Sequence, residues 1–331
     1  MGNCVAQSKK SAAEIVPHDS VKVVSPTVRL YGSPTSTLTA YIRFALLHKA
    51  VSVQLVPSET PNFGSETPVL QLGSETVSGS RETLLRYIDA RFPHPPLVMP
   101  GYQEETTPSI VRVVGLQHKS MTWHMERMVR WAEDLAARGG KGSVDPSVGS
   151  PRMEVKKFAR SYSELLELML EHAQMEERVV FPILDMADRG LCKAANEEHA
   201  RDLPIMNGVK EDIKSTGVLE SGKPNLPRSS LQPFLTRLKS LQEHCKQHFV
   251  EEDRDLLPLM EAVELSNEQQ KRVMEQCLDV MQGTHSHLFN FLLEGLLPRE
   301  AMQYLDLITS CTRQRTNGLC AKIDCQLGSN I

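Results

Sequence analysis

The 331-residue chain is poor in aromatics (5%), and no uninterrupted apolar stretch in it approaches a membrane-spanning length. Crossing a bilayer as a helix takes roughly 20 consecutive apolar residues, so no transmembrane helix is expected. Positive charge is not in surplus: 37 Lys and Arg against 41 Asp and Glu leave a net charge of −4. A nucleic-acid partner, which needs a basic footprint, is thereby excluded. The N-terminus lacks the apolar centre of a secretory signal, and no N-x-[ST] acceptor occurs. The seven cysteines, Cys4, Cys192, Cys245, Cys277, Cys311, Cys320 and Cys325, form no CxxC pair. An odd number at irregular spacing suits reduced thiols in the cytoplasm better than a disulfide framework. What the chain does have is 40% apolar and 24% charged residues, enough for a packed core, and 14 Met, a mix typical of helix bundles.

Five regions separate by pattern. Residues 1–25 are polar and mixed and read as a flexible tail. Residues 26–100 read as α/β. Strands are expected at Val28–Tyr31, Val51–Val56, Val69–Leu72 and Thr76–Val77, with helices at Leu38–Lys49 and Arg81–Arg91. The run Pro93-His94-Pro95-Pro96 marks a boundary. Residues 105–263 read as four long helices. The first starts at Thr107-Pro108 and is stopped by Gly139-Gly140; the second runs from Ser150-Pro151 to near Gly190. The third covers about 191–214 and the fourth about 230–263. Ser266 with Gln269 forms a capping box for a fifth helix, opening a helical extension over 264–312 that ends in a flexible tail at 313–331. The fold class is therefore a multidomain α+β chain, a small α/β layer followed by an all-α four-helix bundle.

An internal repeat carries the chemistry. His172, Glu176, Arg178 and Pro182 recur at the same spacing as His248, Glu252, Arg254 and Pro258. Residues four apart share a helix face about one turn apart, so each His/Glu pair can grip one cation. Both pairs interrupt apolar stripes. On the second helix the stripe reads Phe158, Tyr162, Leu165, Met169, His172, Glu176, Val180, Ile183. On the fourth it reads Phe234, Leu238, Leu241, Cys245, His248, Glu252, Leu256, Leu259, Val263. A buried carboxylate without a partner costs several kcal/mol at least, so a cation is expected beside it. His199 interrupts the stripe of the third helix and His118 that of the first, with His124 as the alternative there. His244, one turn before His248, offers a fifth imidazole.

Imidazole and carboxylate suit iron, manganese or zinc, and six ligands exceed the need of one tetrahedral zinc. A dinuclear, non-haem iron centre bridged by Glu176 and Glu252 accounts for the set. Gly139-Gly140-Lys141-Gly142-Ser143 lacks the spacing and the preceding strand of a phosphate loop and reads as a connection between helices.

From about 105 to 263 the chain resembles a hemerythrin-like (HHE) cation-binding domain, a four-helix bundle with a non-haem di-iron centre. The resemblance rests on the duplicated HxxxE…P motif and implies His118, His172, Glu176, His199, His248 and Glu252 as ligands. It also implies iron or oxygen-species binding or sensing, with O2 or peroxide as small-molecule partners. One position departs: oxygen-carrying hemerythrins have a second third-helix His where this chain has Leu203.

Residues 27–92 resemble the thioredoxin-like N-terminal domain of glutathione transferases, through "VRLYGSPTSTLTAYIRFALLHKAV" and "TPVLQLGSETVSGSRETLLRYID". That resemblance implies Ser33 or Ser36 at the glutathione thiol and Pro68 as a cis-proline. It also places Ser80-Arg81 where transferases hold the γ-glutamyl group. With that pair altered, a docking role toward a protein partner is expected of this region. The alternative function is enzymatic, as a di-iron oxidase or peroxidase or as a glutathione-dependent transferase. Met1-Gly2-Asn3-Cys4 offers Gly2 for myristoylation and Cys4 for palmitoylation, the two anchors that stable attachment to the cytoplasmic face of the plasma membrane requires.

Overall fold

A computed structural model of the chain describes residues 27–34, 36–57, 67–97, 107–138, 151–219 and 228–310. Gly2, Cys4, the Gly-rich connection at 139–143 and the C-terminal tail lie outside the described residues. No helix among the described residues is long and apolar enough to cross a membrane.

The N-terminal part is a small α/β region with a four-stranded sheet. Strand β1 (Val28–Gly32) buries alternate residues and is followed by helix α1 (Thr37–His48). Strands β2 (Val53–Pro57), β3 (Val69–Leu72) and β4 (Glu75–Ser78) and helix α2 (Arg81–Arg91) complete it. The order across the sheet is β2-β1-β3-β4; β1 pairs parallel with β2 and antiparallel with β3, which pairs antiparallel with β4. Leu30, Ile42, Leu46, Leu70, Leu84 and Ile88 form its core. Both helices start with a serine cap: Ser36 Oγ accepts from the Thr39 amide and Ser80 Oγ from the Thr83 amide, each at 3.3 Å. The strands and helices expected here match to within a residue or two. The cis X-Pro bond among the described residues falls at His94–Pro95. It does not fall before Pro68, which leads into β3 without the cis bond that the transferase resemblance implies.

The remainder is helical. Helix α3 (Ser109–Arg138) packs on α4 (Pro151–Met175) and on α7 (Arg228–Glu251), and α6 (Lys193–Leu219) packs on the same two. The ends of α3 and α4 are tied by buried Glu154, whose carboxylate accepts from Trp131 Nε1 at 3.0 Å and from both terminal nitrogens of Arg138.

Neither HxxxE helix is continuous, a departure from the unbroken second and fourth helices that the stripes suggest. A π-helical turn at Glu176–Val180 follows α4 and leads into α5 (Phe181–Ala187). A second at Glu252–Leu256 follows α7 and leads into a 3₁₀ segment, Leu257–Val263. Pro182 and Pro258 explain both. A proline has no amide to donate, and its ring clashes with the carbonyl four residues back in an α-helix. The chain widens instead, so the Phe181 amide bonds the carbonyl of Glu176 and the Leu257 amide that of Glu252. The extra residue rotates everything beyond it. Leu184 and Met260 become core, while Ile183 is half-buried and Leu259 is 38% exposed, although the stripes place Ile183 and Leu259 inside.

Ser266 and Gln269 form the expected capping box of α8 (Asn267–Val280). Residues 281–288 are turns, then come α9 (Phe289–Glu294) and a helix α10 over 298–310. Glu171 of α4 fixes the turn by accepting from the Gly283 and Thr284 amides at 2.9 and 2.7 Å.

Candidate metal centre

The six side chains His118, His172, Glu176, His199, His248 and Glu252 converge between α3, α4, α6 and α7. They form two overlapping groups. His118, His172, Glu176 and Glu252 each offer a donor atom, all within 4.8 Å of one another. Glu176, His199, His248 and Glu252 do the same. The two carboxylates belong to both groups, the arrangement needed to bridge two cations.

Helix geometry delivers the pairs. With α4 regular up to Met175, His172 and Glu176 stack on one face and put Nε2 3.1 Å from Oε1. His248 and Glu252 repeat this at 3.4 Å. Each Glu is the first residue of a π turn, so the widened backbone begins directly at the carboxylates. Such turns are frequent at functional sites.

The inner atoms lack ordinary partners. Both oxygens of Glu176 and both of Glu252 are buried with no hydrogen-bond partner among the described residues. The His–Glu contacts at 3.1–3.5 Å are ion-pair distances without hydrogen-bond geometry. The Nε2 atoms of His118 and His172 stand 3.0 Å apart, and those of His199 and His248 3.1 Å apart. Four orphaned carboxylate oxygens facing four ring nitrogens form a donor set that fits metal cations.

Every outer nitrogen, by contrast, is held. Gln117 Oε1 lies 2.9 Å from His172 Nδ1, Glu177 Oε1 2.9 Å from His199 Nδ1, Glu198 Oε2 2.7 Å from His248 Nδ1, and Asp253 Oδ1 2.8 Å from His118 Nδ1. Each of these four residues neighbours a member of the cluster in the chain and orients a histidine on a different helix, so the contacts close a ring. With the proton on Nδ1, Nε2 keeps a lone pair aimed inward, the tautomer a ligand requires. Sequence reasoning missed these four residues, although their places directly beside a candidate ligand were the available signal.

Protonation follows the same geometry. Burial alone would lower His118, but Asp253, Glu176 and Glu252 outweigh it and hold His118 well above the ordinary histidine value. Burial keeps His172 below that value despite Glu176. Burial would raise Glu176, but His172 and His118 hold it well below the usual carboxylate range. Without a cation, His118 thus tends to hold a second proton on Nε2, which a metal would displace.

The alternative histidines sit elsewhere. His124 is buried on the face of α3 turned to α9, where its Nε2 donates to the Phe291 carbonyl at 2.7 Å and its ring stacks on Phe291. His244 is partly exposed, 3.3 Å from Asp202, and in neither group. Of the glutathione-site candidates, Ser36 caps α1, and the Ser33 carbonyl accepts from the Ser36 amide at 3.1 Å. Arg81 pairs with Asp306 of α10 at 2.5 Å and lies 3.7 Å over the Tyr41 ring. A cavity of about 440 Å³ opens beside the cluster, lined by His172, His199, His248, Leu203, Met206 and Phe249 among others.

Residues 109–260 match the family model described as the hemerythrin HHE cation binding domain. The matched segment contains all six converging side chains and the whole orienting ring. No curated protein matches the chain. Residues 109–260 thus match a hemerythrin HHE domain and hold a His/Glu group suited to cation binding.

Proposed function

We propose that this domain is a four-helix bundle holding two iron ions bridged by Glu176 and Glu252, with His118 and His172 on one ion and His199 and His248 on the other. The observation that carries this reading is the pair of overlapping four-residue groups that share both carboxylates. Manganese and zinc use the same donor types; the hemerythrin match is what favours iron. When bound, such a pair supplies reversible redox and oxygen-species chemistry. The chain's own part is to present six preorganised donors, to keep the four imidazoles in the ligating tautomer, and to wall the centre with Met121, Met169 and Phe249.

The role proposed is iron or oxygen-species sensing, passed on through the N-terminal region. The βαβββα order and the mixed sheet of that region support a thioredoxin-like domain. Arg81, where a transferase would hold the γ-glutamyl group, is spent on Asp306 and Tyr41. This favours docking over glutathione conjugation. One observation favours a second reading, a di-iron oxidase or peroxidase: the cavity beside His172, His199 and His248 admits a small molecule.

Metal analysis of the purified chain tests the main reading. About two iron ions per chain are expected, with an optical spectrum that changes on exposure of the reduced protein to air. Protein that takes up no iron, manganese or zinc after reconstitution would overturn it. Turnover of peroxide at enzymatic rates would favour the second reading.

A further inference from the structure

Three of the four residues that orient the histidines are partly exposed carboxylates, and a carboxylate can only accept. The fourth, Gln117, is fully buried and carries an amide, which can either accept or donate. If Gln117 turned its NH2 toward His172 Nδ1, the ring proton would move to Nε2 and His172 could not bind a metal. Something outside the pair has to settle which way the amide points.

A chain of hydrogen bonds, buried at Gln117 and part-buried at His285, does so. Gln117 Nε2 donates to the Tyr304 hydroxyl at 3.2 Å. The Tyr304 hydroxyl lies 2.9 Å from His285 Nε2, and His285 Nδ1 lies 2.8 Å from the Met281 carbonyl oxygen. A backbone carbonyl has no proton to give, so the direction of every link follows from it. His285 must carry its proton on Nδ1; its Nε2 then accepts from Tyr304; the phenol oxygen accepts from Gln117; and Gln117 Oε1 is left to accept from His172. Burial holds His285 below its ordinary value, hence neutral, and pushes the Tyr304 phenol up, hence protonated.

We infer that Tyr304 and His285 fix the tautomer of His172 through Gln117, which makes the helical extension beyond the matched domain a working part of the metal centre. The two positioning residues lie outside residues 109–260. Glu171, the chain neighbour of His172, pins the turn at Gly283 and Thr284 that carries His285. The inference rests on the reading of His172 as a ligand.

The test is a Co²⁺ titration of the full chain, followed by its visible absorption, with metal per chain measured independently. Wild type should bind two ions. Tyr304→Phe, which removes the acceptor for Gln117, should bind one ion about 10- to 100-fold more weakly, the range typical of lost outer-shell partners, and leave the other unchanged. Gln117→Glu supplies an acceptor with only one sense, so both ions should bind, and adding Tyr304→Phe to that variant should change nothing. Tyr304→Phe binding as wild type would overturn the inference, and so would a double variant as weak as Tyr304→Phe, which would make the effect one of packing. Wild type binding no metal would overturn the di-metal reading itself, and the inference with it.

Discussion

His118 and His124 lie six residues apart on α3, both buried, and their surroundings drive them in opposite directions. Three carboxylates hold His118 high, whereas burial lowers His124 to about 4. For His124 the unfolded value is near 6.5, so between these two values the unfolded chain binds the extra proton. Its contribution is fully present above pH 6.5 and is lost as the pH falls toward 4. The full amount is on the order of 3 kcal/mol. His124→Gln keeps a donor for the Phe291 carbonyl and removes the titration. Urea unfolding of wild type and variant should show the wild type losing more stability from pH 6.5 to 4; parallel curves would refute the assignment. The cluster makes a second residue-scale prediction. Glu176 belongs to both groups and His248 to one. Glu176→Gln should therefore weaken uptake of both ions, and His248→Ala of one, read as metal per chain after dialysis.

At the scale of elements, a close approach between α3 and the end of α9 decides one substitution. A Cβ on Gly295 would sit 2.4 Å from Ser120 Oγ, 2.8 Å from the Ser120 carbonyl and 2.9 Å from the His124 ring. Gly295→Ala should thus destabilise by about 1–3 kcal/mol, the usual cost of overpacking, in thermal or denaturant unfolding. Nothing in the local sequence announces this contact, since its two sides are far apart in the chain. The helices were legible because their start signals are local: Thr107-Pro108 before α3, Ser150-Pro151 before α4, and the Ser266–Gln269 box. The six candidate ligands were legible because polar residues broke apolar stripes. The stripes failed after each Glu, where Leu259 is exposed and Met260 buried. Pro182 and Pro258 carried that signal, as an α-helix cannot pass a proline without adjusting, but the repeat drew attention to their spacing and not to their missing amides. The Gln117–Tyr304–His285 chain was beyond reach, because it joins residues that only the finished fold brings together.

For the whole molecule, α10 is the joint. Tyr304 on it meets the metal side through Gln117, and two residues on Asp306 meets the α/β region through Arg81 and the Tyr41 hydroxyl. An ion pair this exposed contributes roughly 0–1 kcal/mol by itself, so Asp306→Ala should barely change global unfolding. It should instead speed amide exchange in α1 and α2 relative to α3, which hydrogen exchange with mass spectrometry resolves.

Metal removal should act on the whole fold. Without a cation, the buried carboxylates of Glu176 and Glu252 face each other with only the histidines to balance them. Ions that bind the folded chain and not the unfolded one stabilise it by mass action, by about 2.7 kcal/mol when free metal is 100 times its dissociation constant. Melting of the full chain should therefore shift down on chelation, recover on adding Fe²⁺ under anaerobic conditions, and rise further with Fe²⁺ concentration. Glu176→Gln supplies the control: with one shared carboxylate neutralised, its melting temperature should respond weakly to the same additions. If wild type and Glu176→Gln respond alike, the stabilising ions bind somewhere other than between α3, α4, α6 and α7. If neither responds, the fold does not depend on metal.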